Sequence, residues 1–150
     1  MIAYNAIYVD GRRAAQQPSS LQQTFELLAQ LDDAVAWIDL YKPTQEEFES
    51  LARHSELPPR VIADAIKAHH RPKLVRYGDS LLVVLKSARY LDQPEKVQFS
   101  EVDVLEGKGF IVTVRYEEIR ALEEVRRRLE GEPESLRQGP NQSCVRSWIR

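Results

Sequence analysis

At 150 residues with a formal charge of −2, the chain is sized for one domain and lacks the basic excess expected of a nucleic-acid binder. Its single cysteine, Cys144, excludes an internal disulfide and a cysteine-based zinc site. No signal-peptide pattern opens it, and no apolar run approaches the roughly 20 residues of a membrane helix; the longest covers residues 81–85, so the chain as given is expected to be soluble.

The first expected element is a strand, Ile2–Val9, closed by an Asp10-Gly11 turn. Ser20 fits a helix N-cap with Gln23 as the return partner of a capping box, and Leu21, Phe25, Leu28 and Leu31 recur at helical spacing, which predicts a helix over Leu21–Gln30. Ala34–Tyr41 is apolar on both faces, as an inner strand of a covered sheet would be. Thr44 and Glu47 form a second capping box, opening a helix with Phe48, Leu51 and Ala52 as its apolar stripe. Strands follow at residues 74–77, 81–90, 97–105 and Phe110–Arg115, with turns at Gly78-Asp79 and at Glu106-Gly107-Lys108-Gly109. The last three are joined by short loops and should pair antiparallel. A helix over residues 117–130 has Glu117 and Glu118 in its first turn, arginines in its last, and Ile119, Leu122, Val125 and Leu129 on one face, with Gly131 to stop it. The elements imply an α/β layered domain on a mixed sheet. It is expected to span residues 1–131, with 132–150 as a short helical turn at 133–138 followed by an irregular tail.

The stretch from Ser55 to Lys73 holds most of the candidate chemistry. Pro58-Pro59 suits the first turn of a helix and Pro72 ends it. At 100° per residue, Val61, Ile62, Ala65, Ile66 and His69 share one side, while Arg60, Asp64 and Lys67 share the other. Asp64 is therefore expected to face away from the core. It is either a solvated carboxylate beside Arg60 and Lys67 or a ligand for a hard cation shared with another chain, because one carboxylate cannot hold Mg²⁺ by itself. His69 and His70 diverge by about 100° on a helix and have no second His at the i+4 spacing of a zinc pair. They are read as packing and surface residues, and a metal-dependent hydrolase built on His69, His70 and Asp64 is the least favoured function. Glu101 and Asp103 point to one sheet face and could in principle work as acid and base. With no partnered His, Lys or glycine-rich loop near them in sequence, they are taken as surface or interface charges. Cys144 has no evident base beside it and is read as a bystander. No dinucleotide, phosphate-loop, serine-hydrolase or zinc-protease motif occurs.

Several words in order carry a resemblance: Trp37-Ile38-Asp39-Leu40, Pro59, Asp64-Ala65, His69, Arg71-Pro72-Lys73-Leu74, Tyr77-Gly78-Asp79, Leu82-Val83-Val84-Leu85-Lys86, Glu101-Val102-Asp103 and Phe110-Ile111-Val112-Thr113-Val114-Arg115. Together they resemble the N-terminal cytoplasmic domain of CorA-type magnesium/cobalt transporters over residues 1–138. The resemblance implies an α/β/α sandwich with a mixed parallel/antiparallel sheet, no enzymatic activity, and five copies around the axis of a funnel below a membrane pore. It implies a regulatory divalent-cation site between neighbouring protomers, with Asp64 as one carboxylate and Mg²⁺, or Co²⁺ in its place, as the ion. A zinc-transporting relative of the same family is an alternative. Ala63 departs from the acidic residue many relatives carry beside that Asp, and the partner carboxylate belongs to a long helix not present here. No tightly bound metal is therefore expected in this chain. The family's Gly-Met-Asn pore motif is absent, since Met1 is the only methionine, so the chain is not expected to conduct ions by itself. A stand-alone interaction module, pairing with itself or with full-length subunits, is the alternative from another class.

Overall fold

The structure is a computed structural model that describes residues 1–15, 17–67, 71–93 and 95–137. Among the described residues, seven strands form one sheet: β1 (Ile2–Val9), β2 (Arg12–Arg13), β3 (Ala34–Tyr41), β4 (Lys73–Tyr77), β5 (Ser80–Leu91), β6 (Lys96–Gly107) and β7 (Phe110–Arg115). Their order is β2-β1-β3-β7-β6-β5-β4. Among the described strands, only β3 and β7 run parallel, in register from Ala36 opposite Phe110 to Tyr41 opposite Arg115. β1 pairs antiparallel with β3, and β4 to β7 form an antiparallel meander. The sheet is mixed, as the sequence predicts.

Helices α1 (Leu21–Gln30), α2 (Gln45–His54) and α3 (Pro59–Ile66) cover one face, and α4 (Arg120–Glu130) and α5 (Pro133–Arg137) cover the other. The alternation of side chains along the central strands feeds two cores. Ile38, Leu40, Leu82, Val84, Leu105, Val112 and Val114 meet Phe48, Leu51, Val61 and Ala65 on the first face. Trp37, Val83, Val104 and Ile111 meet Leu122, Val125 and Leu129 on the second. This is the expected α/β/α sandwich.

Local signals and tertiary demands part company at several points. Ser20 caps α1 by accepting from the Gln23 N–H, but the Gln23 side chain turns to Ser19 rather than back to Ser20. The Thr44–Glu47 box closes in both directions. Ala52 is exposed, so the buried stripe of α2 is Phe48 and Leu51 alone. α3 stops at Ile66, five residues short of the Pro72 boundary's reach, and Ile66 itself is exposed. Glu106 is not in a loop: it belongs to β6, its side chain points into the α4-side core, and burial raises its pKa. α4 starts at Arg120 because Glu117 and Glu118 are used elsewhere, the first accepting from Ser100 Oγ and the second facing Arg115. α5 packs Leu136 into the second core and is held to the first turn of the sheet by an Arg137–Asp10 ion pair of 2.9 Å. The Pro133 backbone lies so close to Gly11, at φ +78°, that no side chain would fit there.

Candidate functional site

α3 lies across β5 and β6, docked by Val61, Ile62 and Ala65. That seating leaves Asp64 at the margin of the contact, half-buried rather than free in solvent. The Tyr77 hydroxyl, from the end of β4, donates to Asp64 Oδ2. The hydrogen bond to the carboxylate, first, raises the tyrosine's pKa above its ordinary value, while Arg60 nearby opposes the rise. To the two readings of Asp64, a solvated carboxylate beside Arg60 and Lys67 or a shared cation ligand, the structure adds a partner 13 residues away on another element. His69 and His70, read as the next residues of that helix, lie outside the described residues, as does Cys144.

Glu101 and Asp103 do share a face of β6, the face under α1–α3. They are not both surface charges. Glu101 pairs with Lys86 at 2.8 Å, and Asp103 is 1% exposed. Among the described residues, no group of three or more His, Cys, Asp or Glu side chains is placed to hold a metal ion.

The most developed polar cluster is built on Asp39, Thr113 and Arg115, which stand in the sequence inside the apolar stretches of β3 and β7. Asp39, on β3, is 4% exposed and accepts from Arg115 Nε at 3.0 Å, with Arg115 Nη2 also 3.0 Å away. Thr113 Oγ1 donates to the other carboxylate oxygen at 2.9 Å. The Arg115 guanidinium lies 4.9 Å from the centre of the Tyr41 ring and donates to the Glu117 carbonyl. Because β3 and β7 are parallel and in register, Asp39 meets Thr113 and Arg115 side by side on the α4 face. A cleft of about 320 Å³ opens above them, between Tyr4 and Trp37 on the sheet and Arg120, Glu123 and Arg126 on α4. Arg126 stacks on Tyr4, with its guanidinium 3.9 Å from the ring centre. At the far end of α4, Glu130 accepts from both Tyr8 and Tyr4, at 2.6 and 2.9 Å, and burial, first, raises both phenols. The signal for this cluster in the sequence is an Asp within an otherwise apolar strand, which requires a buried partner.

The profile of the family described as CorA-like Mg²⁺ transporter protein matches residues 32–143, most of the chain. The chain belongs to the CorA-like family. It is similar to YfjQ of Bacillus subtilis, a candidate metal ion transporter, with 31% identity over 115 residues, covering 77% of this chain and 35% of that protein. Among solved structures, full-length CmaX superposes with a TM-score of 0.69 at 18% identity, over 95% of this chain and 41% of that one. The soluble domain of CorA from Methanocaldococcus jannaschii superposes with a TM-score of 0.58 at 16% identity, over 87% of this chain and 48% of that one. The two structures share the fold, and this chain spans between a third and a half of the length of all three relatives. The α/β/α sandwich is thus the fold of a CorA soluble domain. Among its described residues, no helix is long and apolar enough to cross a membrane.

Proposed function

We propose that this chain is a cytoplasmic regulatory and assembly domain of a CorA-type divalent cation transporter, non-enzymatic, working as one of five copies around a pore carried by other segments. The observation behind the reading is Asp64, a half-buried carboxylate at the edge of α3, aimed by Tyr77. The family resemblance supports reading it as a ligand to a divalent ion between protomers. Its chemistry fits one part of such a site: Mg²⁺ takes oxygen ligands, keeps several waters and is held by one or two carboxylates. Asp64 supplies one of them, and a neighbouring protomer would supply the next. An ion there would offset repulsion between protomers and favour the closed arrangement, a coupling between two distinct sites. Mg²⁺ is the proposed regulator, with Co²⁺ as the second candidate.

The test joins this chain to the remaining length of YfjQ and follows protease resistance as Mg²⁺ or Co²⁺ is added. The joined protein is expected to gain resistance with ion, Asp64→Ala is expected to lose that gain, and the chain alone is expected to show none. An ion response unchanged in the variant would overturn the role of Asp64. A second reading, a module that pairs with itself or with full-length subunits, is favoured by the apolar row Tyr90, Val97 and Phe99 exposed on the β5–β6 hairpin. Light scattering on the chain alone and mixed with a full-length relative, with and without ion, separates the two, since the module reading requires association with itself or with that relative in the absence of ion.

A further inference from the structure

β6 changes character along its length. Residues 96–99 are exposed, while residues 102–107 are buried, so Glu101 and Asp103 sit where the hairpin leaves the core. Their side chains leave the same face of the sheet, because they are two residues apart. Asp103 stands opposite Val84 on one side and Val114 on the other. Neither of its oxygens meets a conventional donor among the described residues. The polar group against it is Glu101, another carboxyl. Two acceptors in contact at a buried site lack one thing, a proton between them; with both ionised, they would repel in a poorly solvated place.

The surrounding charges fit one ionised and one neutral carboxyl. Lys86, on β5, lies 2.8 Å from Glu101 Oε2 and neutralises that residue. Lys73, on β4, stands beside Val84 on the same face and is partly exposed. Tyr116, just after β7, is partly buried against this core, and its own phenol is raised by burial first and then by Asp103 and Glu101. The helices over this face contribute apolar side chains, Val61, Ile62 and Ala65 from α3 and Phe48 and Leu51 from α2. Burial, then the hydrogen bond and charge of Glu101, push Asp103 up to about 8, against the pull of Lys86 and Lys73.

We propose that Glu101 and Asp103 share one proton at neutral pH, and that loss of this proton loosens the root of the β5–β6 hairpin beneath α1–α3 as the pH rises. The pair is a pH-sensitive switch built into the sheet, and it operates whether or not Asp64 binds an ion. The sign follows from linkage. The folded chain keeps a proton that the unfolded chain gives up at ordinary carboxylate pH. Stability contributed by the neutral pair is present at low pH, declines as pH rises through neutrality, and stops changing above about pH 8.

Urea unfolding of the chain at several pH values, compared with Asp103→Asn, isolates the effect. The ratio of the variant's folding equilibrium constant to the wild type's is expected to rise about tenfold per pH unit between pH 5 and 7.5, the slope of one proton, and then to level off. A flat ratio would overturn the proposal. Carbon-13 NMR of the wild type gives a reading that does not depend on the variant folding: the Asp103 carboxyl is expected to titrate above neutrality. Glu101→Gln should move the Asp103 midpoint down. An Asp103 midpoint in the ordinary carboxylate range would refute the shared proton. The double variant His69→Gln, His70→Gln is expected to keep the Asp103-dependent slope; its loss would assign the titration to the histidines instead.

Discussion

Arg115 is the residue on which the buried polar chemistry of the sheet converges. Its guanidinium holds Asp39, stacks near Tyr41 and reaches the Glu117 carbonyl, with 11% of its side chain exposed. Removing one partner of a buried ion pair leaves the other charge uncompensated, at a typical cost of about 3–5 kcal/mol. Arg115→Ala is expected to lose that much in urea unfolding. Asp39→Asn, which keeps an acceptor for Thr113, should lose less. An Asp in an apolar strand announces a buried partner, but which partner was not legible from local sequence, since Asp39 and Thr113 are 74 residues apart and the i to i+4 patterns that identify helices cannot pair them. The outward side of Asp64 was legible, because helix geometry fixes it relative to Val61, Ile62 and Ala65. Its Tyr77 partner was not, because the meeting depends on how α3 crosses the end of β4.

The elements owe their boundaries to two kinds of cause. α2 begins where its cap dictates: Thr44 Oγ1 accepts from the Glu47 N–H at 3.2 Å, and Glu47 accepts from the Thr44 N–H at 2.9 Å. Thr44→Ala is expected to cost about 1 kcal/mol by thermal or urea unfolding, the usual value of a helix cap. α4 begins where tertiary contacts allow. Its first-turn acids, as read from the sequence, are drawn away to Ser100 and Arg115, so the helix starts at Arg120 with no side-chain cap. α3 ends at Ile66, with Lys67 as its C-cap, although Pro72 constrains only the residue before it. Caps that act over three residues can be read in advance. Boundaries set by a distant partner cannot.

At the scale of the whole molecule, the sheet separates residues that hold the fold from residues that do not. Leu105 lies fully buried near the C-terminal end of β6, and Phe99, six positions earlier on the same strand and the same face, is 64% exposed. Leu105→Ala is expected to cost about 2–5 kcal/mol through the cavity it leaves, while Phe99→Ser should stay within about 0.5 kcal/mol of wild type. Chemical denaturation of the pair tests whether the core ends at the hairpin root. The β-propensity of residues 96–107 is continuous across that boundary, so the sequence shows one strand where the structure has a buried half and a free half.

By itself the sequence determined the α/β class, the strands and helices with their main apolar faces, the Thr44 cap and the ordered words that resemble the CorA-type domain. These rest on periodicity and short-range bonding, which act between residues near one another in the chain. Only the tertiary structure decided that β3 and β7 lie parallel at the centre, that Asp39 therefore meets Thr113 and Arg115, that Tyr77 orients Asp64, and that Asp103 is buried against Glu101. Each of these depends on strand order and on helices crossing strands, and the burial that makes a charge matter exists only after the layers have closed over it.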